Sequence, residues 1–81
     1  MDWKEYIHTD PNVLVGKPVV KGTRLSVDFL LRLFGNGWSY EQIFESYPHL
    51  TMDSIQAVFA FAAESLSEET MYVMPMEMEL A

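Results

Sequence analysis

The chain has 81 residues, five Lys and Arg against twelve Asp and Glu, a formal net charge of −7, and no cysteine. That length fits one domain with a small core, and the lack of thiols excludes disulfides and a thiolate zinc site. No stretch approaches the run of about 18 apolar residues that a membrane helix needs, and nothing reads as a signal peptide, so a cytoplasmic protein is expected.

Residues 1–12 read as irregular, with a short extended piece at Tyr6–His8 that stops at Asp10-Pro11-Asn12. Val13 and Val15 alternate, and Gly16-Lys17-Pro18 interrupts them. Val19-Val20 and Leu25-Ser26-Val27 are β-branched or apolar runs about Lys21-Gly22, which predicts a hairpin with Gly22 in a left-handed position of a three-residue loop. A first helix starts near Val27, with Ser26 as its cap and Asp28 at its positive end. Gly35-Asn36-Gly37 stops it, because these residues tolerate the left-handed cap conformation.

Ser39-Tyr40-Glu41-Gln42 is a capping box, so a second helix begins there and carries Tyr40, Ile43, Phe44 and Tyr47 on one face. Pro48 ends it. A third helix follows Thr51, its expected N-cap, and runs to Leu66. Ile55, Val58, Phe59, Ala62 and Leu66 form one apolar stripe. Ala57, Ala60 and Phe61 add a second apolar side, which points to a contact with another chain or to cover from the chain's own ends. In the C-terminal segment Met74, Met76, Met78 and Leu80 join the candidate partner surface. Met76, Met78 and Leu80 alternate with Glu77 and Glu79, a strand-like period in adaptable side chains. The organisation is thus one domain: an N-terminal extended segment over 1–27, a helix-turn-helix over 27–66, and an acidic Met-rich tail over 67–81.

Charge is segregated along this chain. All five cations lie within the first 32 residues beside four acids, which leaves 5 − 4 = +1 there. Residues 33–81 carry eight acids and no Lys or Arg. An acidic half repels phosphates and suits a basic partner surface.

Residues 16–24, GKPVVKGTR, hold glycines, lysines and a threonine, yet they do not form a phosphate loop. That motif needs two glycines with four residues between them, then Lys and Ser or Thr at a helix start. Here Lys17 follows the first glycine and no Lys follows Gly22. His8 and His49 are remote from each other, so no metal ligand set forms. No serine sits in a nucleophile motif, no cofactor is implied, and no enzyme is expected. For nucleic acid the candidate contacts are Lys17, Lys21, Arg24 and Arg32 to phosphate, with Thr51, Ser54 and Gln56 at the start of the third helix. So few cations in an acidic chain predict weak, salt-sensitive binding.

Asp10-Pro11, Gly16-Lys17-Pro18, Gly22-Thr23-Arg24, Val27, Gly37, Ser39, Ile43, Tyr47-Pro48, Leu50-Thr51 and Ile55 stand in a joint spacing. Over residues 7–66 the chain resembles a small prokaryotic family of unknown function whose members are described as VapB-type antitoxins paired with PIN-like ribonuclease toxins. The resemblance implies a mainly α fold: a short N-terminal β-hairpin, then a three-helix homeodomain-like or winged-helix-like helix-turn-helix. It also implies a partner-binding regulator: a homodimer, a partner of a PIN-like toxin, or both, with DNA binding as a further role.

Overall fold

The computed structural model describes residues 1–70. They form a mainly helical fold with a short antiparallel β-hairpin at its N-terminal end, in agreement with the expected fold class. A 3₁₀ turn at Trp3–Glu5 leads into strand β1 (Ile7–His8), which pairs with β2 (Val19–Val20). Helices α1 (Val27–Gly35), α2 (Tyr40–Ser46) and α3 (Met52–Thr70) follow.

The hairpin differs from the expectation in its partner. Val19-Val20 pairs with Ile7-His8, in the register Ile7 to Val20 and His8 to Val19. The anticipated partner on the other side, residues 25–27, makes a single bridge from Ser26 to Val19, supported by Val20 N–H to the Leu25 carbonyl at 3.0 Å and Val27 N–H to the Pro18 carbonyl at 2.9 Å. Residues Lys21–Arg24 form the loop between them, so it holds four residues rather than three. Gly22 does take the left-handed conformation, at φ 80°.

Helix starts follow side-chain chemistry. The Ser26 hydroxyl accepts from Phe29 N–H at 3.0 Å at the head of α1. Ser39 and Gln42 complete both bonds of the capping box on α2. The α1 terminus is a Schellman motif: Trp38 N–H reaches the Leu33 carbonyl at 3.1 Å and Gly37 N–H the Phe34 carbonyl at 3.0 Å. Gly37 supplies the required positive φ of 92°.

Nine buried apolar residues make the core: Ile7, Val20, Val27, Leu30, Ile43, Leu50, Ile55, Ala57 and Val58. Strands β1 and β2 and helices α1, α2 and α3 each donate at least one. Burying a Val, Leu or Ile side chain contributes about 1.5–3 kcal/mol, so no element is dispensable in so small a core.

The two apolar sides of α3 are both used within the chain. On one side Phe61 meets Trp3 edge-to-face, with ring centroids 4.8 Å apart, and the Trp3 indole N–H donates to the Glu64 carboxylate. On the other, Phe59 packs against Phe34 of α1 at 5.2 Å. The expected division of faces is therefore corrected. Ala57 is fully buried and faces no partner, whereas Phe59 keeps 38% of its surface exposed. Ala60 and Phe61 are half-buried. Met74, Met76, Met78 and Leu80 lie outside the described residues.

Trp3→Ala is expected to lower unfolding stability by about 2 kcal/mol, through loss of apolar contact on α3. Trp3→Phe should retain most of it. Urea denaturation of the three proteins measures this, and no loss for Trp3→Ala would show that the N-terminal turn does not cover the helix.

Candidate functional site

The segments that stand out in sequence come together at one end of the molecule. In Gly22-Thr23-Arg24 the first two residues build the turn. Gly22 supplies its φ, and the Thr23 hydroxyl donates to the Val20 carbonyl at 2.8 Å while accepting from Leu25 N–H at 3.0 Å. Arg24 is left exposed and makes no hydrogen bond or ion pair among the described residues. Asp28 is held by Lys17 at 3.9 Å and by Arg32 at 3.3 Å, not by Arg24. These are surface pairs, each worth well under 1 kcal/mol.

Leu14, Val15, Lys17, Arg24, Leu25, Ser26, Asp28, Phe29 and Arg32 line a groove of about 560 Å³ between the two loops and α1. Its rim carries three cations and one carboxylate, a surplus of 3 − 1 = +2. Its floor and one wall are apolar: Leu14, Val15 and Phe29 are 41%, 94% and 38% exposed. A second cavity of about 480 Å³ lies next to it, lined by Gly22–Leu25 and by Ser46, Tyr47, Pro48 and His49. Arg24 borders both, so it joins the basic groove to the turn of the helix pair.

The N–H groups of Gly16, Lys17, Val20, Lys21 and Thr23 donate to carbonyls of the chain and that of Leu25 donates to Thr23, so these six are not free to hold a phosphate.

Sequence reasoning missed the apolar wall. Val13 and Val15 alternate, but they do not form a strand. Leu14, Val15 and Gly16 instead turn through φ values of 49°, 56° and 81°. Val15 is β-branched and belongs poorly in that region, and it is almost fully exposed, so burial does not hold it there. Nothing in local propensity signals this; an apolar pair ahead of a glycine is the only hint. Strain of this kind gathers at binding sites.

The other nucleic-acid candidates divide. Lys17, Arg24 and Arg32 meet at the groove. Lys21 is exposed in the adjoining turn. Thr51 and Ser54 bond each other reciprocally at the head of α3: Ser54 N–H donates to the Thr51 hydroxyl at 3.1 Å and Thr51 N–H to the Ser54 hydroxyl at 2.8 Å. Ser54 is only 5% exposed, so its hydroxyl is spent on the Thr51 cap and is not presented to a base. Gln56 alone of the three is exposed with no bond of its own among the described residues.

Val15→Gly is expected to raise stability by about 1 kcal/mol, because it removes the left-handed strain of a β-branched residue. Thermal unfolding tests this; a destabilised variant would mean that the Val15 side chain is held by packing.

A family model described as a protein of unknown function, DUF433, matches residues 7–62. No curated protein and no solved structure matches the chain. The matched region begins at β1 and ends within α3, and it contains both loops of the groove and the turn at Tyr47–Thr51. It is more than half of the sequence, and the chain belongs to the DUF433 family of proteins of unknown function.

Proposed function

We propose that this protein is a non-catalytic, antitoxin-like helix-turn-helix protein of a type II toxin–antitoxin system, and that it neutralises a PIN-like ribonuclease by binding it. The observation that carries this reading is the charge of the helix-turn-helix region. Glu41, Glu45, Asp53 and Glu64 are all exposed on α2 and α3, and no Lys or Arg lies anywhere after Arg32. A ribonuclease must hold RNA phosphates, so its working surface is basic. An acidic helical surface of this kind competes for it. Glu68 and Glu69 continue the acidic sequence near the end of α3, and Glu77 and Glu79 lie outside the described residues.

A second reading is favoured by one specific observation, the convergence of Lys17, Arg24 and Arg32. In that reading a homodimer binds DNA as a transcriptional regulator, with the groove's cations on phosphates. With three or four such contacts the affinity falls steeply with salt.

Co-expression with a PIN-like nuclease encoded beside it should give a stable complex and suppress RNA cleavage. Glu41→Lys combined with Glu45→Lys and Asp53→Lys should weaken that complex at least tenfold. A nuclease that neither binds nor is inhibited would overturn the antitoxin reading. For the DNA reading, Arg24→Ala should abolish a low-salt mobility shift on the chain's own promoter.

A further inference from the structure

We infer that this chain pairs with a second copy of itself, the groove at Leu14, Val15, Lys17, Arg24, Phe29 and Arg32 of each copy receiving helix α2 of the other. The inference stands independently of the toxin. It sets the groove's cations against protein, and so competes with the DNA reading, which needs them on phosphate.

The groove makes two demands on an occupant. Its rim has a surplus of two positive charges, with Arg24 unpaired among the described residues. Its wall and floor present Val15, Leu14 and Phe29 to solvent. A phosphodiester backbone meets the first demand and leaves the apolar wall against water. A purely apolar segment meets the second and leaves the rim unanswered. What fits both is a surface on which two carboxylates stand beside apolar side chains.

The outer flank of α2 is such a surface. Tyr40, Glu41, Phe44 and Glu45 fall within about 140° of one helix face at 3.6 residues per turn. Tyr40 is 47% exposed and stacks on the half-buried Phe44 with ring centroids 6.5 Å apart. Glu41 and Glu45 are exposed and form no ion pair among the described residues. Standing at i and i+4 they repel each other, so a basic neighbour relieves both. Their two charges equal the surplus of the rim, and Arg24 has the fork geometry that suits a carboxylate.

The placement of the two surfaces favours a second copy over any other acidic partner. Helix α2 runs antiparallel beside α1: Phe34 meets Tyr40 at 5.5 Å at one end, and Phe29 meets Tyr47 at 6.0 Å at the other. The groove uses the flank of α1 that bears Asp28, Phe29 and Arg32. A basic, apolar groove and an acidic, aromatic ridge thus lie on either side of one helix, with Phe29 at their boundary. A two-fold axis at that boundary sets each groove on the other copy's ridge and makes the contact twice. The pair is then closed, and neither surface is left over.

Sedimentation equilibrium of the full chain tests this without nuclease or DNA. The expected species is a dimer, and its dissociation constant should rise at least tenfold from about 0.05 to 0.5 M salt. Lys17→Glu with Arg24→Glu turns the rim from +2 to 2 − 4 = −2 and should give a monomer. Glu41→Lys with Glu45→Lys turns the ridge from −2 to −2 + 4 = +2 and should do the same. All four positions are exposed, so circular dichroism should show unchanged helix in both variants. Mixed in equal amounts, the two variants should recover a dimer, because each groove again faces a ridge of opposite sign. A chain that stays monomeric at about 100 μM, a dimer that survives either charge reversal, or a mixture that stays monomeric would overturn the inference. So would growth beyond the dimer, which a closed pair forbids.

Discussion

The contact of Trp3 with α3 is the constraint from which the rest of the arrangement follows. Its ring lies against Phe61 and its indole N–H is taken by Glu64. That places the N-terminal turn on the helix and sets Ile7 into the core. β1 is then in position to pair with β2, and Lys21 N–H reaches the Tyr6 carbonyl at 2.8 Å. Val20 of β2 and the preceding Pro18 are in turn bonded to Leu25 and Val27, which fix the start of α1. Each two-residue strand is too short to persist alone. It is the tryptophan at one end and the helix caps at the other that hold the loops of the groove in register.

The groove itself joins two kinds of surface that seldom share a wall. A rim of cations keeps water close, whereas Val15 and Phe29 exclude it. Asp28 reconciles part of this by holding Lys17 and Arg32 to the α1 side. Arg24 is left with its charge directed outward between two cavities. The two preceding residues of its motif are consumed by turn geometry, so within Gly22-Thr23-Arg24 the division of labour is clear: two residues shape the backbone and one meets the exterior.

Local chemistry made much of this fold legible. Ser26, the Ser39–Gln42 pair, Thr51 and Gly37 announce helix ends because caps act within a few residues of where they sit. The strand pairing was not legible, because Ile7 and Val20 are joined by a long connection and nothing in either short run names the other. The inward side of α3 was ambiguous for a related reason. Both sides are apolar, and which residues are covered depends on Trp3 and Phe34, which are distant in sequence. The gathering of Lys17, Arg24 and Arg32 could be anticipated only as three cations in one half of the chain. Val15 was hidden altogether, since its conformation contradicts its own preference and is imposed by the turn.

The Trp3–Glu64 bond spans 61 positions, which has a consequence for the order of events in the cell. Trp3 leaves the ribosome 61 positions ahead of Glu64, its partner on α3. Contacts so far apart in sequence repay their loop entropy only after closure. The N-terminal turn and β1 must therefore wait, with Trp3 and Ile7 exposed, until α3 has emerged. The turn closes only once α3 is out, and a chain that stalls before residue 61 leaves Trp3 without the ring it packs on.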